Sequence, residues 1–301
     1  MTDPLFRFLQ INDLHLTAEG DRFAGATARV EWVADSVQRG DFGDIRFLVS
    51  VGDQAQGGSP KQLVGDLKRF HSVFDPVGLP VYAVPGNHDS HEDQSKLQTP
   101  FLAAFERETM NFTFRESDFR FVMLDNCSSG QASPEAYARR AAWLQQTLEA
   151  HAEEKIILCC HIPLVPMRER DALKRSLYPL DATWCLEPEI LKLVHAHADA
   201  VQAVLCGHLH LTGMVCVRSI IHICLAGTAC YPCDIGVYSV YEDRIDVEVR
   251  QLPLELLAHK DTDLHGKVRR KVDHIDDVHP THVEYVMGTV DERKFVIPLK
   301  C

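Results

Sequence analysis

No run in this 301-residue chain approaches the ~20 consecutive apolar residues that cross a bilayer, so no membrane span is expected. The opening residues, Met-Thr-Asp-Pro-Leu-Phe-Arg-Phe-Leu-Gln, lack the basic and apolar regions of a secretory signal. A soluble, cytoplasmic protein is the expectation. An excess of positive charge is missing too: 31 Lys and Arg stand against 43 Asp and Glu, a net charge of −12. Non-specific nucleic-acid binding needs a basic footprint, so no nucleic-acid partner is expected. Internal repeats and low-complexity tracts are absent. Gly57-Gly58 precedes a helical pattern but has no Gly-Lys-Ser/Thr, which excludes a nucleotide P-loop. No Ser-His-Asp or Cys-His pattern stands out as a nucleophile.

What is present is a globular composition, 46% apolar and 25% charged, on a chain long enough for one large domain or two modest ones. Its ten cysteines fit reduced, buried residues better than disulfides. Cys159, Cys160, Cys206 and Cys224 lie inside apolar runs, where Cys behaves as a small hydrophobe. Cys230-Tyr-Pro-Cys233 has redox spacing, yet a strand pattern follows it where a thioredoxin-like site needs a helix. It reads as an ordinary loop.

Apolar strand patterns over residues 5–11, 45–51 and 80–84 alternate with helical periodicity over 23–39 and a helix starting at Ser59-Pro60, a cap and first-turn pair. A helix is expected over 95–108, with Pro100 as a potential break. Residues 112–114 and 119–124 read as paired strands, and Ser133-Pro134 opens a helix to about residue 153. Strands at 155–160 and 201–206 flank a helix over 188–197, and short strands follow to residue 250. Alternation first and consecutive strands later predict two packed mixed sheets flanked by helices. Residues 164–186 are irregular and polar and read as a lid; Arg168, Arg170, Lys174 and Arg175 are its candidate substrate contacts, with solvated surface charge as the alternative. Residues 254–301, charged and rich in His, are set apart from a domain over 1–253 as a solvated tail or an arm for homo-oligomers.

The chemistry gathers where strands stop. Val81-Tyr-Ala-Val-Pro-Gly-Asn-His-Asp89 is a short strand that ends at Pro85-Gly86 and then presents an amide, an imidazole and a carboxylate. Four other strand ends carry the same kinds of group: Asp13 and His15, Asp53, His161, and His208 with His210. A single His after a strand is usually a satisfied polar group, and Gly-Asp is a common turn. Five such ends in one chain are better explained by one site at one sheet edge. Asp-x-His and His-x-His spacing also suits a strand, where residues i and i+2 point the same way.

In this order, Asp13-Leu-His15, Gly52-Asp53, Gly86-Asn-His-Asp89, His161 and Gly207-His-Leu-His210 resemble the calcineurin-like metallophosphoesterase superfamily over roughly residues 5–250. Asn12-Asp-Leu-His-Leu16 and the Gly-Asn-His-Asp block are most similar to the class III cyclic nucleotide phosphodiesterases. The resemblance implies a four-layer α-β-β-α sandwich. It implies that Asp13, His15 and His210 hold one metal, that Asn87, His161 and His208 hold a second, and that Asp53 bridges both. His88 would then be the catalytic residue that stabilises the transition state or protonates the leaving oxygen, with Asp89 as its support. Two cations ~3.5–4 Å apart can activate a bridging hydroxide for in-line attack and clamp a phosphate. With two Asp and one hydroxide they leave a single positive charge, which attracts an anionic ester. Mixed imidazole and carboxylate donors suit Fe, Mn or Zn better than Ca.

Departures narrow the choice. Asp53-Gln-Ala-Gln-Gly-Gly58 lacks the Asp-Arg pair of serine/threonine protein phosphatases, and Gln56 stands where purple acid phosphatases carry a Tyr ligand. The expectation is a phosphodiesterase acting on a small-molecule phosphoester, best a 3′,5′-cyclic nucleotide. Residues 227–234 would help shape its leaving-group pocket. A glycerophosphodiester or a phosphomonoester stays open as substrate. A non-catalytic binding protein with this fold is the competing class, but such proteins usually lose ligands and here all seven positions are filled.

Overall fold

The computed structural model describes residues 3–89, 94–127, 134–169, 188–258 and 277–300. Strand β1 (Phe6–Ile11) is central: it pairs in parallel with β2 (Ile45–Val51) and antiparallel with β10 (Asp234–Val240). Sheet one is completed by β3 (Val81–Val84), β11 (Arg244–Gln251) and β12 (Lys294–Pro298), in the order β12-β11-β10-β1-β2-β3. Sheet two comprises β4 (Phe112–Glu116), β5 (Phe119–Met123), β6 (Lys155–Cys159), β7 (Val201–Cys206), β8 (Gly213–Val217) and β9 (Ile220–Cys224), in the order β4-β5-β6-β7-β9-β8. Both sheets mix parallel and antiparallel pairs, as the strand–helix alternation predicted.

The two sheets face each other across an aromatic core. Phe8 stacks on Tyr238 with ring centroids 4.5 Å apart and meets Phe121 edge-on at 5.3 Å. Helices α1 (Ala26–Arg39) and α2 (Pro60–Phe74) supply apolar side chains to the outer face of sheet one. On α2 the buried Leu63, Leu67, Phe70 and Phe74 recur at helical spacing, and the Ser59 hydroxyl accepts from the Gln62 amide. Helices α4 (Pro134–Ala150) and α5 (Pro188–Ala196) cover the outer face of sheet two. The result is the four-layer α-β-β-α sandwich. Helix α3 (Gln94–Ala104) runs through Pro100 without ending there. Among the described residues, no helix is long and apolar enough to cross a membrane.

Two expectations are corrected. Residues 254–301 were read as a tail or arm, but the described part, 277–300, folds onto the same body. Helices α6 (His282–Met287) and α7 (Val290–Arg293) lead into β12, which pairs with β11, and Tyr285 and Val286 are buried against sheet two. Arg168, read as a lid residue free to meet substrate, is instead buried beneath this segment. The rest of the proposed lid, residues 170–186, lies outside the described residues.

Candidate metal centre

The parallel strands β1, β2 and β3 of one sheet and β6 and β7 of the other all end at the same edge, and the loops that follow them converge. Asp13 follows β1, Asp53 follows β2, Asn87 and His88 follow β3, His161 follows β6, and His208 and His210 follow β7. All seven predicted ligands and His88 are brought together. Strand alternation does not aim them. The strands stop at Ile11 and Cys206, and Asp13, His15, Asp53, His208 and His210 all have left-handed backbone, with φ between 47° and 73°. Such conformations cost of order 1–3 kcal/mol each and persist only where neighbouring contacts over-determine them.

Those contacts are visible. The Asp13 amide donates to Gly52 O, and the Leu14 and His15 amides both donate to Asp53 O, so the first two loops share one backbone lattice. The Gly207 amide donates to His161 O and ties the last two. Gly86 and Gly207 let side chains press against bare backbone: a Cβ on Gly86 would collide with Asp53 Oδ1, and one on Gly207 with Asp13 Oδ2.

Each buried carboxylate has its two oxygens divided between tasks. Asp13 Oδ2 accepts from Asn12 Nδ2 at 2.6 Å and from the His208 amide at 3.0 Å. Its Oδ1 has no hydrogen-bond partner and lies 3.1 Å from His210 Nε2. Asp53 Oδ1 accepts from the His88 amide at 2.8 Å, while Oδ2 lies 3.5 Å from His15 Nε2 and 3.4 Å from His161 Nε2. Asn87 Oδ1 stands 3.1 Å from His161 Nε2 and 2.8 Å from His208 Nδ1. His161 Nδ1 donates to Val51 O at 2.8 Å, which turns Nε2 inward. The donor atoms of Asp13, His15 and His210 lie within 4.8 Å of one another, as do those of Asp13, Asp53 and His161. One oxygen fixed and one aimed inward, among convergent imidazole nitrogens, is a donor set that fits two cations bridged by a carboxylate.

The buried acids and imidazoles shift one another strongly. Burial alone would raise Asp13, but His210 outweighs it and lowers the carboxyl to about 2. Burial opposes and His161 then lowers Asp53 well below its usual value. Burial works against a charged His161, yet Asp53 raises it to about 9, and Asp13 raises His210 well above normal against the same penalty. Burial pushes His15 and His208 down to about 3, so these two imidazoles are neutral donors.

The support for His88 differs from expectation. Asp89 Oδ2 accepts from the Gly86 amide at 2.8 Å and from the Gln54 amide at 3.3 Å, and Oδ1 accepts from the Ala55 amide at 3.0 Å. Burial, then the charge of Asp53, raise Asp89 to about 8 against the pull of these amides. It fastens the Asp53 and Asn87 loops together. At His88 Nδ1 stand Gln56 Nε2, at 2.9 Å, and Gln56 O, at 3.1 Å. In the sequence Gln56 stood only as a departure from the purple acid phosphatases and Asn12 only as part of its block, and Asn126 had no assigned role. Asn126 Oδ1 accepts from both the His161 and Ile162 amides at 3.1 Å, and only its place after β5 hinted at a role. The segment 227–234 is tied to the loop after β1: the Ala229 amide donates to Asp13 O at 3.0 Å.

This fold and a buried carboxylate–imidazole cluster at the strand ends define a hydrolase of phosphoester bonds. Residues 6–211 match the calcineurin-like phosphoesterase family, and the chain belongs to it. Family members use a dinuclear metal centre. The chain is 23% identical over 218 residues to the 3′,5′-cyclic adenosine monophosphate phosphodiesterase of Haemophilus influenzae, covering 69% of this chain and 70% of that one. It is 25% identical over 212 residues to a probable cyclic nucleotide phosphodiesterase of Synechococcus, covering 67% and 72%. A probable glycerophosphodiester phosphodiesterase of Arcobacter nitrofigilis is 22% identical over 54% of this chain, and the match spans only 56% of that relative. Among solved structures, a dimetal phosphatase from Danio rerio superposes with a TM-score of 0.60 at 17% identity, covering 83% of this chain and 97% of that one.

Proposed function

We propose that this protein is a dinuclear metallophosphodiesterase whose substrate is a 3′,5′-cyclic nucleotide. The observation that carries the reading is the division of labour at Asp13 and Asp53, each with one oxygen held by protein N–H groups and the other directed at imidazole nitrogens. Asp13, His15 and His210 hold one cation, Asn87, His161 and His208 the other, and Asp53 both. Mixed N and O donors favour Fe or Mn, with Zn next. Two bound cations supply a water acidic enough to attack at neutral pH and neutralise charge on the phosphoryl oxygens. The names of the Haemophilus and Synechococcus relatives support the choice of substrate.

His88 is the proton donor in this reading. Its amide is fixed on Asp53 Oδ1, and its Nδ1 is engaged by Gln56. Nε2 is therefore the atom that delivers a proton to the leaving ribose oxygen as the ester bond breaks. The name of the Arcobacter relative favours a glycerophosphodiester as the second substrate class. We place the protein in the cytoplasm, a reducing compartment that suits Cys159, Cys160, Cys206 and Cys224, which are buried in or beside apolar strands.

Bis-p-nitrophenyl phosphate hydrolysis by Mn²⁺-loaded protein tests the reaction: turnover is expected, and none by protein shown to hold two metals sinks the enzyme reading. A panel of cyclic nucleotides, glycerophosphodiesters and monoesters, ranked by kcat/KM, tests the substrate. Preference for a monoester would overturn the diester assignment.

A further inference from the structure

The segment 277–298 closes over the loops that carry His161, His208 and His210, and it does so with buried charges. Arg168, seven residues after His161, donates from Nε and Nη2 to Tyr285 O at 3.0 and 2.8 Å, and from Nη1 to Glu292 Oε1 at 3.0 Å. Its Nη2 also donates to Thr212 O, two residues beyond His210. The Thr212 amide donates to Val286 O at 2.8 Å, and its hydroxyl donates to Asp234 Oδ2 at 2.6 Å. Arg293 grips Asp234 with two bonds of 2.7 and 2.8 Å. Glu292 Oε2 accepts from His279 Nε2 at 2.7 Å and from the Thr289 amide at 2.8 Å. Arg168, Asp234 and Glu292 are all buried, so losing one partner leaves an unpaired charge out of water.

We propose that residues 277–298 are a positioning clamp for the metal centre. Through Arg168 the clamp holds the segment after His161, and through Arg293, Asp234 and Thr212 it holds the loop bearing His208 and His210. The inference rests on reading those histidines as metal ligands. Its physical basis is the strain in that loop: His208 and His210 sit at φ 73° and 48°, and left-handed backbone needs external contacts to persist. The bonds at Thr212 are among those contacts. Arg168 and Thr212 also join the two loops to each other, so the clamp sets their spacing as well as their shape. Glu292 stays ionised: burial opposes, but His279 and Arg168 lower it to about 2.

Calorimetric titration of Mn²⁺ into metal-free wild type, Arg293→Met, Arg293→Lys and Thr212→Val tests the clamp, each protein first shown folded by near-UV circular dichroism. Val37→Ala, a cavity under α1, serves as a variant destabilised elsewhere. Loss of an outer contact to metal-bearing groups typically weakens binding about 10–100-fold, and that range is expected for Arg293→Met. Arg293→Lys should recover most of the affinity, Val37→Ala should lower the melting temperature with an unchanged Kd, and the near-isosteric Thr212→Val carries the measurement if Arg293→Met does not fold. Wild-type affinity in whichever of the two folds, or equal weakening by Val37→Ala, overturns the clamp. No Mn²⁺ binding by wild type would instead overturn the reading of the ligands.

Discussion

At Asp53 the same side chain orients the backbone of His88 through one oxygen and faces His15 and His161 through the other. Its neighbours divide their tasks as sharply. Asn87 lies among the ligand atoms, His88 packs its ring 4.7 Å from that of His15 and meets Gln56 at Nδ1, and Asp89 binds three backbone amides. His88→Ala should therefore lower kcat by roughly 10²–10⁴-fold, the range of lost acid–base catalysis, while metal analysis still finds two ions per chain. Loss of a metal on that change would make His88 a ligand. His88 was legible as a candidate for proton transfer from its residue type and block. That Gln56 and not Asp89 stands at its Nδ1 was not readable, because Gln56 lies 32 residues away and only the fold of the two loops brings it to the ring.

Among the elements, the loops after β1, β2, β3, β6 and β7 matter more than the strands they extend. The apolar runs located the strand ends to within a residue or two, since burial between sheet and helix demands continuous apolar sequence. Alternation was the wrong explanation for Asp-x-His and His-x-His: left-handed turns at Asp13, His15, His208 and His210 point the side chains. Close backbone approach is part of that geometry, and it yields a prediction. Gly86→Ala drives a methyl into Asp53 Oδ1, and displacing a shared ligand by about 1 Å should cost on the order of 10²-fold in kcat. Far-UV circular dichroism should stay that of wild type, and unchanged kcat would show that the loop gives way.

Across the whole molecule, two pH effects follow from buried histidines. His161, raised to about 9 by Asp53 against burial, and His210, raised well above its usual value by Asp13 against burial, favour the protonated form, whose proton a cation must displace. Metal binding should release protons and tighten as pH rises from 6 to 8, measurable as a falling Mn²⁺ Kd; a flat profile would contradict that protonation. The second effect lies on the far side of sheet two. His222 on β9 is fully buried with both ring nitrogens unpartnered, its neighbour being His195 on α5, and burial lowers it to about 3. A base depressed in the folded state is neutral there, while the unfolded chain takes up a proton below about 6.5. Stability from this residue is thus complete above pH 6.5 and declines as pH falls toward 3. Urea midpoints at pH 7 and pH 5 should differ less in His222→Leu than in wild type, both measured without metal.

The sequence by itself determined the two mixed sheets, the edge where the site lies, and the identity of the clustered groups. Each depends on local pattern: apolar runs long enough to be buried, turns where they stop, and residue types with few uses in a turn other than chemistry. Only the tertiary structure decided how those groups are held. Asn12, Gln56 and Asn126 act through partners up to 36 residues away. The charged segment after residue 276 looks solvated in sequence because the long-range partners that bury Glu292 and Arg293 are not visible in its local pattern. Arg168 and Asp234 lie far along the chain and bury those charges by pairing with them, and the apparent tail becomes part of the body that carries the site.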